Sequence, residues 1–153
     1  MKTLLNPADA DEVLARMEKI RPETSRRWGM MTAHQMVCHL SDGYRLYMGL
    51  KRAEPVDVPA PRWLIKWVAL WVPRQWPQGF KSAPELDQQT SGTRPTAFDD
   101  DMRELRALAN QFTRLPRDFS WPATHPHFGP MTERDWMRLG YLHADHHLRQ
   151  FGA

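Results

Sequence analysis

Apolar residues recur at helical spacing in four separate stretches of this 153-residue chain, and prolines punctuate the intervals between them. Asn6-Pro7 reads as an N-cap with proline in the first turn, and Val13, Leu14, Met17 and Ile20 repeat with helical period up to Arg21-Pro22. Thr32 can cap a second helix, in which Met36, Val37, Leu40, Tyr44, Tyr47 and Met48 form one apolar arc that Gly49 closes. Thr96 with Asp99 has the spacing of a capping box. It opens a third helix, with Asp99, Asp100 and Asp101 as its solvated start and Met102, Leu105, Ala109 and Phe112 as its buried face. Thr132 with Asp135 opens the last helix, which runs to about Gln150. No stretch alternates apolar and polar residues as a half-buried strand does. The expectation is an all-α four-helix bundle filling residues 1–153 as one domain.

One segment lies outside that scheme. From Arg62 to Trp71 the chain is at its most apolar, with Trp63, Trp67 and Trp71 four residues apart on one helical face. A helix of this length cannot cross a bilayer. We expect an extra short helix whose tryptophans are buried by the bundle or by a second subunit, hence a homodimer, because so much aromatic surface exceeds what a monomer ordinarily exposes. Arg62, Lys66, Arg74 and Lys81 keep a lipid-surface helix open as the alternative.

Composition removes other classes. A single cysteine, Cys38, excludes an intramolecular disulfide framework and a Cys-rich zinc module, and it reads as a small packing residue. Net charge is +3 and dispersed, without the Lys/Arg stripe that phosphate binding needs, so no nucleic-acid partner is expected. The apolar run near the start is too short for a secretory signal, which makes the cytoplasm the default compartment, and no integral membrane segment is expected.

The histidines are unevenly placed: His125, His127, His143, His146 and His147 lie in the last 29 residues, with only His34 and His39 elsewhere. At 100° per residue from Trp136, Gly140, His143 and His147 fall on the buried face of the last helix, with Leu139, Gln150 and Phe151 beside them. Two imidazoles one turn apart can reach one metal ion, or they can be satisfied by ordinary core hydrogen bonds. A third ligand would decide for the metal. His39 sits at the edge of the second helix's apolar arc with Met36, Gly43 and Leu46, whereas His34 falls on the polar side with Gln35, Cys38, Asp42 and Arg45.

The segment Trp28-Gly-Met-Met-Thr-Ala-His-Gln-Met-Val-Cys-His39-Leu, followed far downstream by His143-Ala-Asp-His-His147-Leu-Arg-Gln150, resembles the DinB-like (DinB/YfiT-type) superfamily of metal-binding four-helix bundles. The likeness runs from about Leu14 to Phe151 and is closest to a branch of unknown function in which a His-Pro-x-Phe-Gly loop, here His125-Pro126-His127-Phe128-Gly129, leads into the last helix. The resemblance implies that His39, His143 and His147 are the metal ligands, and that His146 is a pocket or outer-sphere residue. Trp136, Gln150 and His125 are expected to line the pocket or support the ligands. His125 would lie at the pocket mouth, or alternatively its loop is a structural plug.

Three neutral imidazoles on a divalent ion leave open positions, the arrangement of a catalytic site. Zinc or nickel is the first expectation and iron or manganese the next, since donor type alone does not choose among them. The resemblance implies a hydrolase or a thiol-dependent transferase acting on a small molecule, the latter using a low-molecular-weight thiol. The other class is a non-catalytic metal- or ligand-binding bundle that acts through dimerisation. No general base stands out: Asp42 lies on the polar face of the second helix, and Asp145 points away from the ligands.

Overall fold

The computed structural model describes residues 1–153 and contains five α-helices: α1 Pro7–Met17, α2 Ala33–Tyr47, α3 Arg62–Trp71, α4 Phe98–Thr113 and α5 Glu133–Gln150. Their starts follow the capping chemistry. Asn6 accepts from the Ala8 N–H at 3.1 Å, and Thr32 with Gln35 and Thr132 with Asp135 both close reciprocal capping boxes. α1 ends at Met17, short of Arg21, but turn hydrogen bonds carry the chain on so that Ile20 is still buried.

α4 departs from expectation at its start. Ala97, not Thr96, is the N-cap and offers no side chain; instead the Asp101 carboxylate accepts from the Thr96 N–H at 2.9 Å. The cause is a competing partner, because Asp101 also meets His34 Nε2 at 2.6 Å and so turns inward while Asp99 and Asp100 stay in solvent.

α1 and α2 each pack on both α4 and α5, so the four helices enclose one core. Val13 and Met17, Met36, Val37, Leu40 and Tyr44, Leu105 and Phe112, and Trp136 and Leu148 are its most buried side chains. Each such burial is worth roughly 1.5–3 kcal/mol relative to exposure. Gly140 permits the close approach of α5, since a Cβ there would stand 2.8 Å from Phe112 Cε1 and 2.9 Å from Leu4 Cδ1. No helix is long and apolar enough to cross a membrane.

A small sheet corrects the all-α expectation. A single 3-10 turn spans Pro84–Leu86, and β1 Thr124–His125 pairs antiparallel with β2 Gly129–Pro130. Gly129, at φ 68°, takes the left-handed conformation that folds this loop back on itself. Two-residue strands are too short to announce themselves by alternation.

α3 has the expected bounds, and of the two expected covers for its tryptophans the bundle is not the one for Trp63 and Trp67. Trp63 and Trp67 are 68% and 54% exposed, while Leu70 is buried and Ile65 and Ala69 pack on the core. Polar anchoring sets this orientation: Lys66 Nζ donates to the Pro130 carbonyl at 2.7 Å and pairs with Asp135 at 3.2 Å, and Arg138 Nε donates to the Leu70 carbonyl at 2.9 Å. Turning the indoles inward would strand Asp135 and Arg138, both buried on α5, at a cost above that of two exposed tryptophans. Trp71 alone of the three is engaged, with its N–H on Asp135 Oδ1 at 3.2 Å and the Arg134 guanidinium over its ring at 4.4 Å.

Asp42 is a further correction, since the polar face of α2 is covered and its carboxylate is fully buried. It accepts from Thr93 N–H at 2.8 Å, Thr93 Oγ1 at 2.6 Å and Gln88 Nε2 at 3.0 Å, and it pairs with Lys51 at 2.8 Å and Arg45 at 3.1 Å. Burial pushes the carboxyl pKa up, but the bonds from Lys51 and Thr93 outweigh it and hold the group below its ordinary value. This network fastens the segment after the 3-10 turn onto α2.

Candidate metal centre

His39 of α2 and His143 and His147 of α5 meet inside the bundle, with ring centroids 4.7 to 4.8 Å apart in all three pairings. Their nearest ring nitrogens lie within 4.8 Å of one another, and the trio could hold a metal ion. Gly43, one turn after His39, makes the approach possible: a Cβ there would stand 3.1 Å from His143 Nδ1.

The outer nitrogen of each ring is committed. His39 Nδ1 lies 2.6 Å from the Leu86 carbonyl, which can only accept, so this nitrogen carries the proton and Nε2 is a bare lone pair. Gln150 Nε2 donates to the Trp28 carbonyl at 2.8 Å, leaving Oε1 to accept from His147 Nδ1 at 2.8 Å, which again leaves a bare Nε2. His143 Nδ1 lies 2.8 Å from the Tyr47 hydroxyl, and its Nε2 faces His39 Nε2 at 2.9 Å. With the proton on His143 Nδ1, two lone pairs confront each other, which is favourable only around a cation. The other tautomer gives a single hydrogen bond between His143 and His39 and leaves His147 outside it. Imidazoles whose second nitrogen is fixed by a carbonyl, an amide oxygen or a hydroxyl are the usual setting of metal-ligating histidines, so the donor set fits a divalent ion.

Burial dominates the protonation of the cluster. It lowers the His39 pKa against the opposing pull of the Leu86 carbonyl, and it takes His143 and His147 well below the ordinary value, helped by the mutual repulsion of the rings. All three are neutral near pH 7, as metal ligation requires. Burial likewise pushes His146 down to about 4 and His125 to about 3.

These shifts predict acid sensitivity. A histidine depressed in the folded state binds fewer protons there than in the unfolded chain, so its stabilising contribution is full above pH ~6.5 and is lost as pH falls through the folded pKa. For His125 alone the loss at pH ~5 is about 2 kcal/mol. With chelator present, the urea midpoint should drop markedly between pH ~7.5 and ~5; a constant midpoint would show that these rings are not buried neutral.

Other expected residues lie in different places. His146 is buried beside His147 at 5.1 Å between ring centres, and its Nδ1 has no hydrogen-bond partner. Gln150 touches His147 directly. Trp136 is wholly buried with its N–H on the Pro122 carbonyl at 3.0 Å. His125 is stacked on Phe128 at 4.6 Å and lies 5.7 Å from Trp136; it is not one of the three converging rings, though its charge bears on His143. Asp145 is paired with Arg16 and Arg149. Burial, followed by the charge of Asp101, pushes the Cys38 thiol up to about 12, so it is no nucleophile near neutrality.

Four participants escaped the sequence reading. Tyr47 lies two turns beyond His39 on the same face, a spacing that would have found it. The Leu86 carbonyl is backbone and carries no side-chain signal. Trp28 supplies the carbonyl that orients Gln150, and its ring meets His146 edge-on at 6.0 Å. Trp76, in a loop without periodicity, lies 6.3 Å from His143 and 6.0 Å from His146. Trp76 also walls a cavity of about 590 Å³, lined by Leu64, Ile65 and Val68 of α3 with Phe80 and Phe128. None of the three clustered histidines lines this cavity; Trp76 is the shared wall.

No curated protein and no solved structure matches the chain. A family model described as a protein of unknown function (DUF1569) matches residues 2–153, so the chain belongs to that family.

Proposed function

We propose that this DUF1569 member is a divalent-metal-dependent enzyme acting on a small molecule, with His39, His143 and His147 as its ligands. The observation that carries the reading is the commitment of all three Nδ1 atoms to outside partners, which turns the Nε2 atoms toward one another. We further assign the fold to the DinB-like four-helix bundles, on the resemblance around His39 and His143 to Gln150 and on the ring of α1, α4, α2 and α5. Zinc or nickel suits the site first and iron or manganese next, and the cytoplasm is its proposed compartment.

A divalent ion held there supplies Lewis acidity and lowers the pKa of an attached nucleophile. The chain's own residues do the rest. The Leu86 carbonyl and Gln150 fix the tautomers of His39 and His147, and the Tyr47 hydroxyl orients the His143 ring. Trp76 shields His143 and His146, and the apolar cavity behind it has the size of a small-molecule site. His146, buried beside His147 with its Nδ1 unpartnered, supplies a spare polar atom next to the ligands. Cys38 is no nucleophile near neutrality, so a thiol-transfer reaction would need an external low-molecular-weight thiol; otherwise the reaction is hydrolysis.

The test is metal analysis of protein purified without a polyhistidine tag, followed by ester, amide and thiol-transfer screens with the identified ion restored. Turnover that requires the ion and disappears in His147→Ala supports the enzyme. Full metal retention with no turnover supports the second reading, a non-catalytic binding bundle. The exposed Trp63 and Trp67 face favours a homodimer in either case. Light scattering should show two copies, and Trp67→Ser should return a monomer.

A further inference from the structure

About 100–140° round α2 from His39, a second set of ligating side chains converges. His34 and Cys38 are one turn apart on α2, and Asp101 stands in the first turn of α4. Their ligand atoms all lie within 4.8 Å of one another. We propose that His34, Cys38 and Asp101 form a second divalent-metal site, of zinc type, that clamps α2 to α4 independently of the three-histidine centre.

The donor set is one imidazole, one thiol and one carboxylate, each an established zinc ligand. In a tetrahedral site with bonds of about 2.0–2.3 Å, ligand atoms stand roughly 3.3–3.8 Å apart. Cys38 Sγ and Asp101 Oδ2 are already 3.7 Å apart. His34 Nε2 and Asp101 Oδ2, hydrogen-bonded at 2.6 Å, need only separate by about 1 Å. The partly exposed His34 side chain can do this, while the Phe98 ring, edge-on at 5.4 Å, limits where it turns.

Charge favours the same conclusion. A dication with one thiolate, one carboxylate and one neutral imidazole is a neutral assembly, suited to a site whose His34 and Asp101 side chains are only 22% and 13% exposed. The Thr96 N–H and hydroxyl orient the Asp101 carboxylate from outside, as supporting groups do in metal sites. Neighbouring charges do not compete for the ion: Arg45 is engaged by Asp42 and Glu104, and Asp42 by Lys51, Thr93 and Gln88. Without an ion the thiol has only a long contact to a carboxylate. On binding, the Cys38 S–H bond breaks, a sulfur–metal bond forms and that proton leaves to solvent; the proton that His34 Nε2 donates to the Asp101 carboxylate is lost to solvent as Nδ1 takes one up, which frees the Nε2 lone pair, and nothing is oxidised or reduced. Three protein ligands leave a fourth position to water.

Sulfur separates this site from the other in one experiment. Metal-free full-length protein, kept reduced with a phosphine, is titrated with cobalt(II) alone. The expected result is two equivalents bound, one of them giving thiolate-to-cobalt charge-transfer absorption in the near ultraviolet. That absorption should vanish in Cys38→Ser, weaken at least tenfold in affinity in His34→Ala and Asp101→Asn, and persist in His143→Ala. Wild-type protein that is folded by circular dichroism yet shows no such absorption would overturn the proposal. So would absorption that survives unchanged in both His34→Ala and Asp101→Asn, two partly exposed positions that keep the test valid should Cys38→Ser fail to fold. Failure of the three-histidine centre would show separately, as loss of the equivalent that lacks sulfur absorption.

Discussion

Replacing His143 by Ala should empty the three-histidine centre while leaving the helices folded. His143 Nε2 lies 2.9 Å from His39 Nε2 and its residue is one turn from His147, with Gly43 leaving space for its ring. Loss of an outer partner of a metal ligand costs about 10–100-fold in affinity, and loss of the ligand itself must exceed that. We expect more than a hundredfold for His143→Ala, against about 10–100-fold for Gln150→Ala, which only frees the His147 ring. Zinc at a hundred times its dissociation constant stabilises the native chain by about 2.7 kcal/mol, and His143→Ala should lose this increment. Equilibrium dialysis and the zinc-dependent shift in Tm check the claim together. If the variant binds zinc at this centre as tightly as the parent, the ligand set is wrong.

What was legible in the sequence shares one property: it is local. Thr32 with Gln35 and Thr132 with Asp135 fix helix starts through groups three residues apart, and His143 with His147 share a face because they are four apart. The bounds of α3 were readable for the same reason. Its orientation was not, because the inward face is chosen by partners on β2 and α5: the Pro130 carbonyl, Asp135 and Arg138. Asp101 read as one of three solvated acids until tertiary contact with His34 and Cys38 set it apart from Asp99 and Asp100. The partner of His39 is a carbonyl 47 residues away, and no residue type encodes where a carbonyl will point.

That carbonyl leads to the second large effect. Asp42→Ala should destabilise the protein by about 3–5 kcal/mol, because it removes a fully buried carboxylate and leaves the mostly buried Lys51 charge and several donors without their acceptor. Lys51 would lose its buried partner, and the Gln88 amide and both polar groups of Thr93 would lose their acceptor. Gln88 and Thr93 lie in the segment that leaves the Pro84–Leu86 turn, so releasing them loosens the Leu86 carbonyl that fixes His39. Two separate readouts should therefore move: the urea midpoint falls, and metal affinity at the three-histidine centre drops although Asp42 touches none of its ligands. The pH dependence has a definite sign. Since the folded carboxyl titrates below its unfolded value near ~3.9, its contribution is full above that pH and is lost as pH falls through the folded pKa. Acid destabilisation in the parent should therefore come in two windows, the histidines from about pH 6.5 downward and the depressed carboxyls of Asp42, Asp101, Asp135 and Asp145 below about 4. Asp42→Ala should shrink only the lower one. A variant within 1 kcal/mol of the parent, or one whose lower window is as large as the parent's, would show that the 87–93 segment is held by something other than this carboxylate.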